Sequence, residues 1–440
     1  MNTNAIFRKS SACFSRARIW KRHISRVTLV ATGVVAVSST CLADAWEFSP
    51  RLRASGGYDD NLNQSDINKE DGYEYNLSGI LGLRRLTETS QILGQIRTEY
   101  VDHAGTTIYD SEFNQFLNLS GGYNTNELNR LGLGIRFDRD HTGTTQQADS
   151  RDVTDPGGTD GENTDPGQDV DTDVGLVREQ IRRERFSIAP SWQHEFSEST
   201  SMQLSYSYLD LSYENGAAQS GLTDYTMHTP SLMMMHQLSE QNRLSVSLDA
   251  SYYEAEDTDR KYDAYAIRTG LERSFSETIT AAVSVGVRQL ISEDADGNDD
   301  DDFGGLFRVE ASKITETGTI TASAERKLTP SGSGSIQQSD VYQLRWRIGM
   351  SPRTSVYLNT TYLDSERTGS SSASTSSDDS KTRKYFTVQP GILRRLSETW
   401  SLDLHYRFRW QERSGNTGDS DSNGVFLAIN YQPLSEFGRR

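Results

Sequence analysis

Residues 393–410 read Leu-Arg-Arg-Leu-Ser-Glu-Thr-Trp-Ser-Leu-Asp-Leu-His-Tyr-Arg-Phe-Arg-Trp. From Leu402 onward the apolar residues fall at every second place: Leu402, Leu404, Tyr406, Phe408 and Trp410. Asp403, His405, Arg407 and Arg409 stand between them. A period of two is the pleat of a β-strand, so one face of this strand is apolar and the other charged. In a soluble sandwich the apolar face meets a second sheet. Here the same alternation returns along the chain, most cleanly at 131–137, 244–252, 283–287, 342–350, 356–362 and 425–431. The run Leu232-Met233-Met234-Met235 leaves its register open.

The turn that precedes the quoted strand, Leu396-Ser397-Glu398-Thr399, also recurs. Its relatives are Leu86-Thr87-Glu88-Thr89, Phe196-Ser197-Glu198-Ser199, Leu238-Ser239-Glu240-Gln241, Phe275-Ser276-Glu277-Thr278 and Ile314-Thr315-Glu316-Thr317. Residues 123–127 and 350–353 occupy equivalent places with other chemistry. In each, an apolar residue ends a band and a Ser or Thr bonds its own backbone as the chain reverses. Eight short turns, each flanked by two strands, plus a first and a last strand predict an antiparallel up-and-down transmembrane β-barrel of about 18 strands, with 16 as the alternative. Trp192, Trp346, Trp400 and Tyr123 lie near these turns, where an interfacial aromatic girdle belongs. Ordinary hairpins of a soluble β protein would share the turns but not the girdle.

The chain has 440 residues, 34% of them hydrophobic, a net charge of −17 and a mean hydropathy of −0.66. Those values suit a soluble chain, but a barrel strand is apolar on one face only and needs no long apolar run. Nothing after residue 45 reaches the roughly 20 apolar residues of a membrane helix. The first 43 residues read as a secretory signal. A region with Arg8, Lys9, Arg16, Arg18, Lys21, Arg22 and Arg26 precedes an apolar core at 27–37 and small residues for cleavage after Ala43 or Ala45. Cleavage removes both cysteines, Cys13 and Cys41, so disulfide and thiol chemistry are not expected afterwards. It also removes seven basic residues and carries the charge from −17 to −24, the wrong sign for nucleic-acid binding. Residues 44–440 then form one barrel domain, opening almost at once on a strand at 46–58 with no folded domain before it.

Between the short turns run longer polar connections, notably 141–180, 293–302 and 366–383, rich in Asp, Gly, Ser and Thr. They are too poor in apolar residues to offset ordering entropy, which predicts mobile loops on the extracellular side. The last alternating segment, 422–429, has the form of a barrel assembly signal, though Phe437-Gly438-Arg439-Arg440 follows it.

The opening Ser49-Pro50-Arg51-Leu52-Arg53-Ala54-Ser55-Gly56-Gly57-Tyr58-Asp59-Asp60-Asn61 resembles the putative beta-barrel porin-2 family and related outer-membrane barrels of exopolysaccharide and PEP-CTERM (exosortase) systems. Beyond residue 61 the resemblance is a strand-and-turn rhythm. It implies an outer-membrane location in a Gram-negative cell and a setting in surface-polymer secretion, with outer-membrane lipid, anionic polysaccharide and periplasmic export machinery as partners.

With the apolar face outward, the lumen takes Arg345, Arg347, Arg407, Arg409, Arg136, Arg97 and Arg288, together with Asp403, Glu99, Asp138, Asp249, Glu272 and Glu310. Charges on an inner face must meet water or one another. They line a polar passage or form a salt-bridged wall, and the pattern permits both. The i, i+2 pairs Arg345/Arg347 and Arg407/Arg409 suit a basic ladder for an anionic polymer. Asp294, Asp296, Asn298 and Asp299 have the oxygen-rich look of a calcium loop but lack the bidentate Glu of an EF-hand, leaving a weak divalent candidate. No HExxH, G-x-S-x-G, phosphate-binding loop or dinucleotide motif appears. The function expected is therefore a passive, cofactor-free pore or export conduit rather than an enzyme. A structural or adhesive barrel with a closed lumen is the alternative, and a rim enzyme a remoter one.

Overall fold

The computed structural model describes residues 46–106, 109–142, 180–214, 221–256, 260–293, 299–368, 382–413 and 418–433. Residues 1–43, read above as a secretory signal, most of 141–180, residues 369–381, the C-terminal 434–440, and Asp294, Asp296 and Asn298 of the acidic loop lie outside the described residues. The chain falls into two units, Met1–Asp44 and Ala45–Arg440, and the strands belong to the second.

Eighteen strands follow one another: β1 (Glu47–Asp59), β2 (Gly72–Leu86), β3 (Ser90–Ala104), β4 (Glu112–Asn126), β5 (Asn129–His141), β6 (Arg182–Ser197), β7 (Thr200–Tyr213), β8 (Tyr225–Ser239) and β9 (Asn242–Ala255). The second half comprises β10 (Lys261–Ser276), β11 (Ile279–Glu293), β12 (Asp299–Thr315), β13 (Gly318–Ser331), β14 (Ser335–Ser351), β15 (Thr354–Thr368), β16 (Thr382–Arg395), β17 (Trp400–Arg413) and β18 (Ser420–Tyr431). Each pairs antiparallel with its neighbours in sequence. The ring closes where β1 meets β18, from Leu52↔Tyr431 to Asp59↔Gly424. Closure leaves no sheet edge, the condition for a strand-built membrane span. The strand count is 18, not 16.

The eight short turns join the strands where the sequence placed them, and their chemistry shows why Ser and Thr recur. Thr87 N–H donates to Ser90 O at 2.8 Å, while Ser90 N–H donates to Thr87 Oγ1 at 2.9 Å. In four further turns a serine Oγ accepts the N–H two residues on: Ser197 from Ser199 (3.3 Å), Ser276 from Thr278 (3.3 Å), Ser351 from Arg353 (3.4 Å) and Ser397 from Thr399 (3.2 Å). Each bond satisfies a backbone donor that the ladder no longer reaches. Several of these hairpins also carry one unpaired residue just before the turn, as between Glu195 and Ser197 or Ser274 and Ser276. Such bulges tighten the local twist.

The outward face is apolar and uncovered. Val283, Val285 and Val287 on β11 are 45%, 54% and 62% exposed, and Leu204, Leu248, Ile267 and Leu404 stand alike. A contiguous exposed apolar face of this extent requires a lipid surround. This is a transmembrane barrel of the outer-membrane type. Register assigns the ambiguous methionines: Leu232 and Met234 lie level with the exposed Leu204, Leu248 and Val246, so they face out. Met233 and Met235 lie level with Gln203, Ser245 and Ser247 on the inner face.

Two features depart from the simple alternation. Asp299–Asp302 belongs to β12, paired with Leu290–Glu293, so the acidic connection is shorter than 293–302. Strands extend past the lipid band into water, where acidic side chains carry no desolvation cost. At the same end, Leu211, Tyr225, Tyr253, Tyr262 and Leu290 are buried together although register places them on the inner face. Here apolar residues pack inside the wall, because beyond the membrane the exterior is water.

Candidate lumen site

A cluster of buried charge lies at the closure seam. Arg407 and Arg409 of β17, both on the inner face, each donate through Nη2 to Asp59 Oδ2 at the end of β1, at 3.1 Å and 2.9 Å. Asp59 is fully buried, and Glu74 of β2 stands 3.6 Å from Arg407. The guanidinium of Arg407 also lies 4.2 Å from the centre of the Phe426 ring on β18. Four strands on both sides of the seam thus meet in one ion cluster. Such a cluster is stable only with its partners complete, since a buried charge left alone is costly.

Below it sits a second set. Tyr357 of β15 donates to Asp403 of β17 at 3.0 Å and 3.2 Å, and the His405 Nδ1 lies 2.7 Å from the same carboxylate. The tyrosine reaches past β16 because residue 391 is glycine: a Cβ there would overlap the Tyr357 ring. His405 stacks on Phe426 with ring centres 5.3 Å apart. This Asp–His pair is covered.

The remaining sequence candidates are distributed around the ring. Arg136 and Asp138 pair within β5 at 2.6 Å, and Arg97 and Glu99 within β3 at 3.7 Å. Arg308 and Glu310 do the same within β12 at 3.1 Å. An arginine and a carboxylate two residues apart on one inner face therefore neutralise each other locally. Arg268 meets Asp249 (2.8 Å), Arg243 meets Glu272 (3.5 Å) and Arg288 meets Asp302 (2.9 Å) across neighbouring strands. Arg345 and Arg347 lie on the inner face of β14, and Arg345 has no ion pair among the described residues. The two arginine ladders are thus unlike each other: Arg407/Arg409 is neutralised and buried, while the β14 pair is half-exposed three strands away. Of the divalent candidates only the backbone of Asp299 is described, as the first residue of β12. Among the described residues no group of three or more potential ligands gathers around a metal position.

The connection between β1 and β2 folds inward. Leu62, Asn61, Gln64 and Ser65 are all buried. Asn61 Nδ2 donates to Ser65 O (2.8 Å) and Asp421 O (2.7 Å), and Gln411 Nε2 donates to Gln64 O at 2.9 Å. Sequence reasoning missed this contribution, as it missed Asp59 and Tyr357. Only the compact Asp59-Asp60-Asn61 run, rich in turn-forming side chains, offered a signal.

The inner face changes along its length. At the long-loop end Glu112, Asn114, Asp138, Asp140 and Arg183 are buried, with Arg183 bidentate on Asp140 at 3.0 Å. Nearer the short turns the inward Asn118, Ser120 and Arg130 are exposed. The lumen is therefore packed toward the long loops and open toward the short turns along β4 and β5.

No family model matches the chain, and no curated protein matches it. Among solved structures it is similar to Pseudomonas aeruginosa OccK2 (OpdF) in complex with glucuronate, at 10% identity and a TM-score of 0.46, over 88% of this chain and 99% of that one. A BenF-like porin from Pseudomonas fluorescens Pf-5 is 9% identical with a TM-score of 0.46, over 88% and 99% of the two chains. The FrpB iron transporter from Neisseria meningitidis (F3-3 variant) is 8% identical with a TM-score of 0.43, over 89% and 82%.

Proposed function

We propose that this barrel is a porin-like conduit of the Gram-negative outer membrane, giving passive passage or export to polar solutes or polymers after removal of residues 1–43. The observation that carries this reading is the open, polar inner face toward the short turns, where Asn118, Ser120 and Arg130 meet solvent inside an apolar belt. In outer-membrane barrels the short turns face the periplasm, so the end whose inner face meets solvent along β4 and β5 receives what is exported. The resemblance of residues 49–61 supports a link to exopolysaccharide secretion, with periplasmic export machinery delivering the polymer. Arg345 and Arg347 supply a positive stripe for anionic segments. No cofactor takes part. The Asp403–His405 pair serves as a buried tie between β15 and β17, held by the Tyr357 hydroxyl.

A second reading, a structural or adhesive barrel with a closed lumen, draws on the inward fold of 61–65 and the filled seam. Single-channel recording of the refolded protein in a planar bilayer separates the two. Stable conductance steps support the conduit. Silence from protein shown to be folded and inserted removes it and leaves the closed barrel.

A further inference from the structure

Nine places around the 18-strand ring from β14, the wall formed by β3 to β7 carries a groove of a different character. It has a volume of about 290 Å³, and Gln91, Ser120, Arg130, Ser191, Gln193 and Gln203 line it. Register sets all but Ser120, which stands one row higher beside Leu93, in two level rows. Gln91, Gly122, Gly132 and Ser191 form one, and Arg130, Gln193 and Gln203 the other. All of them face inward. The glycine at 122 matters: a Cβ there would stand 2.9 Å from Arg130 Nη2 and 3.1 Å from its Nε, so its absence lets the guanidinium lie flat on the wall. Arg130 has no ion pair among the described residues.

Toward the short turns the groove runs into a second hollow of about 490 Å³ that shares Arg130 and Gln193. Glu88, Glu127 and Glu195 line this part, beside Asn124, Asn126 and Asn129. Three carboxylates and one guanidinium give the continuous surface a local excess of negative charge, which repels an anion at short range. Beside these charges stand amides and hydroxyls, each offering a donor and an acceptor, with Leu93 and the glycines at 121, 122 and 132 supplying an apolar share. Their complement is a chain of hydroxyl groups without charge.

We infer that this groove is a binding site for an uncharged polyhydroxylated chain, a neutral oligosaccharide segment met at the short-turn mouth. The inference deepens the conduit reading and rests on it for biological sense, though the site itself is independent of conduction. The amides of Gln193 and Gln203 bond ring hydroxyls, and Arg130 donates to two neighbouring oxygens through its planar fork. With no aromatic platform in the groove, binding is weak, as suits a chain that must move on.

Calorimetric titration of the purified full chain in detergent, with maltohexaose and hexagalacturonate as probes at millimolar concentration, tests this. Maltohexaose is expected to give saturable heat and to bind at least about tenfold more tightly than the charged hexamer. Q193A/Q203A should weaken it by about tenfold, the scale of one or two lost hydrogen bonds. T361A, a change on the opposite wall, should leave it unaltered. Equal or tighter binding of hexagalacturonate, or no heat with either probe from protein whose fold is verified by heat-modifiable gel migration, overturns the inference. Conductance without maltohexaose binding defeats the site and spares the conduit; binding without conductance does the reverse.

Discussion

Arg409 donates to Asp59 at 2.9 Å and so ties the seventeenth strand to the end of the first, across the strand that closes the barrel. Residues 350 positions apart in the chain share one buried ion pair, and Arg407 joins it. The backbone ladder from Leu52↔Tyr431 to Asp59↔Gly424 holds the seam laterally, and this cluster locks it from within.

Removing Asp59 should therefore be severe. Asp59→Ala takes from two buried guanidinium groups the carboxylate they share and is expected to cost about 3–5 kcal/mol. Asp59→Asn, which keeps an acceptor oxygen, should cost less. Urea unfolding of the barrel in lipid vesicles measures both. A wild-type midpoint for Asp59→Ala would show that the seam does not depend on the cluster.

Tyr357 and Gly391 make a paired prediction. Tyr357→Phe loses the hydroxyl donated to buried Asp403 and should destabilise by about 1–3 kcal/mol. Gly391→Ala pushes a methyl group into the Tyr357 ring and should also destabilise. Combined with Tyr357→Ala, the second change has no ring to strike. The double mutant is then expected to be more stable than the sum of the single losses, with a coupling of roughly 0.5–3 kcal/mol. Strict additivity in a double-mutant cycle would argue against the contact.

The two arginine ladders should separate by phenotype. Arg345→Ala with Arg347→Ala removes half-exposed positive charge from the inner wall, so reversal potentials in a salt gradient are expected to move toward cation preference while stability changes little. Arg407→Ala with Arg409→Ala strands Asp59 and should first lower the unfolding midpoint. If both pairs gave the same shift in selectivity and stability, the distinction between an open ladder and a buried one would fail.

The lipid face can be tested at adjacent positions. Val285→Arg places a charge on the exposed apolar belt, where about 2–4 kcal/mol is lost near the midplane. Ser284→Arg points the same side chain inward and should be far milder. Folding yield and urea midpoints of the two variants, compared in the same vesicles, decide which face is which.

Much of this architecture was legible from residue spacing. Alternation such as Leu402, Leu404, Tyr406 and Phe408, together with the Ser/Thr-Glu-Ser/Thr turns, specified strands, hairpins and the count of 18, because pleat and turn chemistry are local. Period alone also set Arg345, Arg407 and Asp403 on the charged face of their strands. The same rule failed for Tyr253, Tyr262 and Leu290, which are apolar yet face inward. Period tells two faces apart, but lipid decides which is outside only within the membrane band, and these residues lie beyond it.

What tertiary structure alone decided is partnership. In sequence, Arg407/Arg409 and Arg345/Arg347 are the same i, i+2 motif, and nothing near either pair marks one as neutralised. Asp59 reaches Arg407 and Arg409 only because the ring closes there, the inward turn of 61–65 rests on Gln411 and Asp421, and the Gln193–Gln203 groove needs four hairpins in register. Strand formation depends on neighbours one and two residues away, which the chain states directly. Charge compensation and grooves depend on which strands lie side by side at which height, and that is fixed only when the sheet has closed on itself.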